Sequence, residues 1–84
     1  MDVFTRISWK KILENIKDIR TRTSFATLIV PIELSSKKVE LIVANEVFLQ
    51  QVNSKINHLK IAVAKTYLRN VPIEIKSATK TGNR

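Results

Sequence analysis

The apolar spacing changes twice within residues 24–52, which read SFATLIVPIELSSKKVELIVANEVFLQQV. The spacing is helical at first, alternates through the middle and is helical again at the end. The changes fall at Pro31, at Ser35 and Ser36, and at Asn45. Because proline pushes the residue before it toward extended geometry and Asn is a favoured helix N-cap, the segment predicts a helix end, a β-hairpin and a helix start. That order excludes a plain helical bundle and a pure β-sandwich.

Apolar residues that recur every three or four positions predict two helices before this hairpin. The first helix has Ser8 as its N-cap and runs to about Arg20. The second is short; it begins at Thr23 or Ser24 and runs through about Leu28. Both helices would present one apolar face to a common core.

A third helix is predicted after the hairpin. It has Asn45 as its N-cap and continues as one long helix to about Arg69, and a bend near Asn57 fits the pattern. Asn70 is the predicted left-handed residue that ends this helix, because no glycine is present there.

Alternating apolar residues predict three strands. Two of them lie at residues 32–34 and 39–43, joined by a loop of about three to five residues, and the last lies at 71–75. The element order is therefore α-α-β-β-α-β, and the predicted class is α+β, with a three-stranded sheet packed against helices. We expect one domain over residues 1–76, followed by a polar tail or the start of a linker at 77–84.

Cysteine is absent from the 84 residues, and His58 is the only histidine. A structural zinc site needs about four such ligands, so the sequence predicts no metal site. The apolar runs are too short to cross a bilayer, and the opening residues MDVFTRISW lack the apolar stretch of a secretory signal. We therefore expect a cytoplasmic protein that does not contact membranes.

The reactive residues form no catalytic pattern. Enzymes need a nucleophile beside a base, paired carboxylates or a metal. No cysteine can pair with His58, the seven acidic residues are scattered, and the single glycine, Gly82, cannot make a phosphate-binding loop. The sequence predicts a protein that is not an enzyme and takes no cofactor.

Lysine and arginine number 15 against seven acidic residues, which gives a net charge of +8. Such an excess favours nucleic acid or acidic partners, although lysines that only solvate a helix face are more common. Lys10, Lys11 and Lys17 lie in the densest basic group and are the candidates for nucleic-acid contact. Trp9, beside them, fits two interpretations equally well, as a core anchor or as an exposed residue at an interface.

Residues 24–32, which read SFATLIVPI, resemble the S-F-x-T-W-[IM]-x-P-[IL] segment in the N-terminal domain (domain I) of the bacterial replication initiator DnaA. Trp9 stands sixteen residues before Phe25, the spacing of the helix-one Trp and the second-helix Phe in that family. Residues 41–45, LIVAN, resemble its strand end L-x-[IV]-x-A-P-N. Here Leu28 stands in place of the usual Trp.

The resemblance covers residues 8 to about 76 and implies a KH-like fold with a non-catalytic role in DNA replication. It implies self-association anchored by Trp9 and recruitment of the replicative helicase or of initiation regulators, with weak contact to single-stranded DNA. Ser24, Phe25 and Val47 would mark the surface that faces the helicase. Val47 stands where the family often has Phe, and Ser24 where some members carry an acidic residue.

Two other interpretations stay open. Residues 9–17, WKKILENIK, also resemble the opening of the C-terminal domain of the clamp-loader subunit γ/τ, which shares this fold and binds helicase and polymerase. The other interpretation is an autonomous KH-type domain that binds single-stranded nucleic acid. KH domains clamp the nucleic-acid backbone with a G-x-x-G loop, and this chain has no such loop.

Overall fold

A computed structural model describes residues 2–79, which form four α-helices and three β-strands. In chain order the elements are α1 (Val3–Glu14), α2 (Ile19–Leu28), β1 (Ile29–Leu34), β2 (Val39–Val43), α3 (Glu46–Asn53), α4 (Ile56–Tyr67) and β3 (Ile73–Ser77). The predicted α+β class is confirmed. The order is compatible with the KH-like arrangement α-α-β-β-α-β once α3 and α4 are counted together.

The three strands form one mixed sheet in the order β1-β2-β3. Strands β1 and β2 are antiparallel and joined by the hairpin, whereas β2 and β3 are parallel. A parallel pair needs a long crossover connection, and α3 and α4 together supply it. Because two helices separate β2 from β3 in the chain, the last strand can run parallel to β2.

The core lies between the helices and one face of this sheet. Strand β2 is central, and its alternate residues Val39, Leu41 and Val43 are almost completely buried. Helix α1 packs against β1, α2 and α4, while α3 packs against β2, β3 and α2. Each helix contributes at least one buried apolar side chain to the shared core: Trp9 and Ile12, Phe25, Val52, Leu59 and Val63.

The hairpin and the start of the third helix agree with the predictions. Residues 35–38 connect β1 to β2, and the Ser35 backbone N–H donates to the Lys38 carbonyl at 3.0 Å. The Asn45 side-chain oxygen accepts from the Phe48 backbone N–H at 2.9 Å, so Asn45 is the N-cap of α3. The loop length and the α3 cap are confirmed, but β1 begins at Ile29 rather than at residue 32, because an edge strand tolerates Pro31 within it.

The predicted bounds of the first two helices are wrong. Helix α1 begins after Asp2, whose side chain accepts from the Thr5 backbone N–H at 2.7 Å, and it ends at Glu14 rather than near Arg20. A second aspartate, Asp18, then caps α2 several residues earlier than predicted. A short carboxylate that accepts backbone N–H groups favours a new helix start over continuation of the old one.

The single long helix is also wrong, because α3 ends at Asn53 and α4 begins at Ile56. The Ser54 hydroxyl donates to the Gln51 carbonyl at 2.7 Å and completes the last turn of α3. At the far end Leu68, not Asn70, is the left-handed residue, with φ of 59°.

The last strand and the domain boundary are shifted from their predicted positions. Strand β3 begins at Ile73 instead of residue 71 and continues to Ser77, one residue beyond the predicted end of the domain. The Ala78 backbone N–H still donates to the Val43 carbonyl at 2.7 Å. Residues 80–84 of the predicted tail lie outside the described residues.

Candidate partner-binding site

A groove of about 420 Å³ lies between α2 and α3. Two almost fully buried side chains, Phe25 of α2 and Val52 of α3, form its floor. The rim is polar and comes from both helices and from the residues beside them: Arg20, Ser24, Gln51, Ser54 and Lys55. An apolar floor with a polar rim is the usual composition of a protein-binding surface.

The Asp18 carboxylate fixes one end of this groove. Its oxygen accepts from the backbone N–H groups of Thr21, at 3.2 Å, and Arg20, at 2.9 Å. These hydrogen bonds, the Thr21 bond first, hold the pKa of Asp18 below its ordinary value, and the nearby His58 and Lys55 side chains add to the effect. The carboxylate therefore stays ionised and accepts the hydrogen bonds that start α2.

The structure brings two of the predicted partner-contact residues to one side of the protein. Ser24 is exposed on the α2 rim of the groove. Val47 is 57% exposed in the first turn of α3 and lies one turn before Gln51, which is on the opposite rim. Ser24 therefore lines the groove, whereas Val47 is not one of its lining residues and lies one helical turn beyond its α3 rim.

The other two predicted partner-contact residues belong to the core. Phe25 is 1% exposed, so it shapes the floor of the groove but offers almost no surface to a partner. Trp9 is 7% exposed and packs under α1, away from the groove. The structure supports the interpretation of Trp9 as a core anchor. It does not support the prediction that the Trp9 ring itself makes the contact in self-association.

The predicted nucleic-acid residues do not line this groove. Lys10 and Lys11 are exposed on α1, and Lys17 is exposed in the loop that follows it. Lys17 lies beside α4, opposite His58 and Lys65, in a separate groove. The structure thus separates the candidate protein contact from the candidate nucleic-acid contact.

An apolar extension of the groove was missed by the sequence analysis. A second groove of about 390 Å³ lies between the end of α2, the sheet and the start of α3. Leu28 lines both grooves, and Phe48, the neighbour of Val47, lines the second one together with Val30 and Ile42. The outward position of Val30 follows from strand alternation, but its approach to α3 depends on the tertiary fold.

Two classes of site are absent from residues 2–79. No cluster of three or more His, Cys, Asp or Glu side chains there could hold a metal ion. None of the helices in that range is both long enough and apolar enough to cross a membrane.

Comparison with protein-family models gives no match, and comparisons with curated proteins and with solved structures give none either. The resemblance to domain I of DnaA therefore stays a prediction that rests on the residues quoted for it.

Proposed function

We propose that this chain is a non-catalytic interaction module and that the groove between α2 and α3 receives its protein partner. One observation carries the proposal: Ser24, chosen from the sequence, lines the polar rim of a groove that has a buried apolar floor. The groove continues past Leu28 into the apolar second groove, which gives a partner an elongated contact area. Such a surface suits an apolar anchor surrounded by hydrogen bonds.

The proposed partner is the replicative helicase or a regulator of initiation in a bacterial cytoplasm. This step rests on the resemblance to domain I of DnaA. The resemblance also implies a weak dimer, but buried Trp9 cannot supply its contact surface. Exposed apolar residues in the first two turns of α1, Val3 at 61%, Phe4 at 82% and Ile7 at 48%, are the side chains of that helix available for self-association.

The proposal is tested by measuring the affinity of the chain for the replicative helicase of its own organism. Ser24→Arg adds bulk and charge on the α2 rim, and Val47→Glu places a charge on the α3 side. Each should weaken binding by about tenfold or more, since a central contact is worth about 1.4 kcal/mol or more. Ser36→Arg, on the exposed hairpin loop, is the matched control and should leave the affinity unchanged.

Circular dichroism must show that every variant keeps the wild-type fold and thermal midpoint. If folded Ser24→Arg and Val47→Glu bind the helicase as well as the control does, the groove is not the contact surface. If the wild-type chain does not bind the helicase at all, the proposed partner is wrong.

A further inference from the structure

The positive charge of this protein is concentrated on one side of the fold. The sheet and its hairpin loop carry three basic and three acidic residues: Lys37, Lys38 and Lys76 with Glu33, Glu40 and Glu74. The helices and their connecting loops carry ten basic residues against four acidic ones. The whole excess within residues 2–79 therefore lies on the helical layer.

Ion pairs neutralise the outer face of the sheet. Lys76 lies 3.4 Å from Glu40 and 3.8 Å from Glu74, and Lys38 lies 3.7 Å from Glu40 and 3.6 Å from Glu74. These lysines already have carboxylate partners. A polyanion approaching the protein is therefore attracted to the helical side instead.

The helical side offers a groove lined by cations from two elements. This groove of about 250 Å³ lies between α4 and the end of α1, and we call it the α1–α4 seam. Lys17 lines one wall, and His58 and Lys65 line the other. The spacing of His58, Ile61 and Lys65, at three and four residues, places all three side chains on one face of α4.

The framework of the α1–α4 seam is fixed by hydrogen bonds. The Asn15 side-chain N–H donates to the Thr66 hydroxyl at 2.9 Å, which joins the end of α1 to α4. The Arg22 guanidinium donates to the Ile16 carbonyl at 2.6 Å and 3.1 Å, which holds the loop carrying Lys17. The two lysines therefore project from anchored backbone, and only their side chains need to be ordered by a ligand.

Little negative charge opposes an anion in this seam. Asp18 directly follows Lys17 in the chain, and its carboxylate is occupied by the backbone N–H groups at the start of α2. Lys17 and Lys65 have no ion-pair partner within residues 2–79. Lys11 lies one turn before Asn15 on the same face of α1, so it extends the positive row.

We propose that the α1–α4 seam binds the phosphate backbone of nucleic acid without reading base sequence. Lysine ammonium groups contact phosphate oxygens as point charges, and the lining of the seam contains no Phe, Tyr or Trp ring on which a base could stack. The proposal is independent of the α2–α3 groove and does not require a G-x-x-G loop. Of the lysines predicted from the sequence to contact nucleic acid, Lys11 and Lys17 belong to this site and Lys10 does not. Lys65 and His58 are added from the structure.

The test is fluorescence anisotropy of the 84-residue chain with labelled DNA, about 20 nucleotides long, as a single strand and as a duplex. The double variant Lys17→Gln/Lys65→Gln removes two charges from the seam. The single variant Lys37→Glu also lowers the net charge by two, but on the exposed hairpin loop, so it is the matched control. At about 50 mM salt we expect the seam variant to lose about tenfold in affinity and the control to lose less than about threefold.

The salt dependence gives a second readout. Loss of two phosphate contacts should reduce the slope of log K against log salt by about 1.4 for the single strand or about 1.8 for the duplex. Equal losses in the seam variant and the control would overturn the proposal, because they would show an effect of net charge alone. Absence of DNA binding by the wild-type chain at about 50 mM salt would also overturn it. Loss of binding to anionic vesicles but not to DNA in the seam variant would assign the seam to a lipid surface instead.

Discussion

Leu68 is held in a backbone conformation that leucine disfavours. It follows α4 with φ of 59° and ψ of 32°, the left-handed region, and no other non-glycine residue within 2–79 has a positive φ. A Cβ atom in this conformation costs about 1–2 kcal/mol. Leu68 is also 89% exposed, so its side chain recovers little of that free energy by burial.

Replacing Leu68 with glycine should therefore stabilise the domain. Glycine removes the Cβ clash, worth about 1–2 kcal/mol, while its extra freedom in the unfolded chain opposes folding by about 0.5–1 kcal/mol. The expected net gain is about 0.5–1 kcal/mol. Because about 1 kcal/mol shifts the thermal midpoint of a domain this small by about 4–8 °C, Leu68→Gly should raise Tm by about 2–8 °C.

The measurement is thermal and urea unfolding followed by far-UV circular dichroism. Leu68→Ala is the control, since it removes the exposed apolar atoms but keeps the Cβ; its free energy of unfolding should stay within about 0.5 kcal/mol of wild type. A Tm for Leu68→Gly equal to or below that of wild type would refute the argument. It would mean that the exposed leucine side chain contributes more to folding than its backbone strain costs.

Substitutions at three further positions test the core, a helix cap and the pH dependence. Trp9→Ala should lower the free energy of unfolding by about 3–5 kcal/mol in urea titrations, because the ring is buried; a well-folded variant with near-wild-type stability would contradict its core position. Asn45→Ala should cost about 1 kcal/mol through loss of the α3 cap, whereas Asn45→Asp should keep most of it. Asp18→Asn should reduce the fall in Tm on acidification from about pH 5 to pH 2. The pKa of Asp18 is lower in the folded protein than in the unfolded chain. Its ionised carboxylate therefore stabilises the fold above the unfolded-state pKa, and this stabilisation is lost as the pH falls through the folded-state pKa. A fall in Tm on acidification that is as large for Asp18→Asn as for wild type would contradict this.

The hairpin and the cap of α3 were predictable because their signals are local. Strand alternation in β2 requires only that one face of a sheet be buried, and Val39, Leu41 and Val43 satisfy that condition within five residues. The Asn45 cap needs only the backbone N–H three residues later. Neither feature depends on which distant segment supplies the other half of the core.

The start of α1 was missed because two opposite faces of this helix are apolar. Trp9 and Ile12 point into the core, but Val3 and Ile7, in the first two turns, are 61% and 48% exposed. A prediction that follows one apolar stripe begins where that stripe begins, so it excludes turns whose apolar residues face solvent. The Asp2 side-chain bond to Thr5, at 2.7 Å, nevertheless starts the helix there.

The break between α3 and α4 was missed for the opposite reason. Val52 and Leu59 are both completely buried, and apolar residues at helical spacing continue across the break. Such a stripe shows which residues face the core but not whether the helix axis continues straight. The break places Ser54 and Lys55 on the rim of the α2–α3 groove.

The candidate site was predictable only as separate residues. Ser24 and Val47 came from the resemblance, and nothing in local spacing indicates that Ser24 lines a groove shared with α3. That groove depends on α2 packing against α3, a contact between segments on either side of the hairpin. Gln51 and Lys55 were missed because exposed polar residues on a helix carry no sequence signal of what they face.

The segregation of charge follows from strand register. Glu33, Glu40 and Glu74 are cross-strand neighbours on three adjacent strands, where like charges directly opposite one another are destabilising. Lys38 and Lys76 offset this repulsion, and the carboxylates, Glu40 first, raise the pKa of Lys38 above its ordinary value. The sheet thus pairs two of the seven acidic residues, Glu40 and Glu74, with its own lysines, and the helices keep the surplus cations. Because the three basic and three acidic residues of the sheet and its hairpin loop cancel, the positive excess within residues 2–79 lies on the helices and their connecting loops.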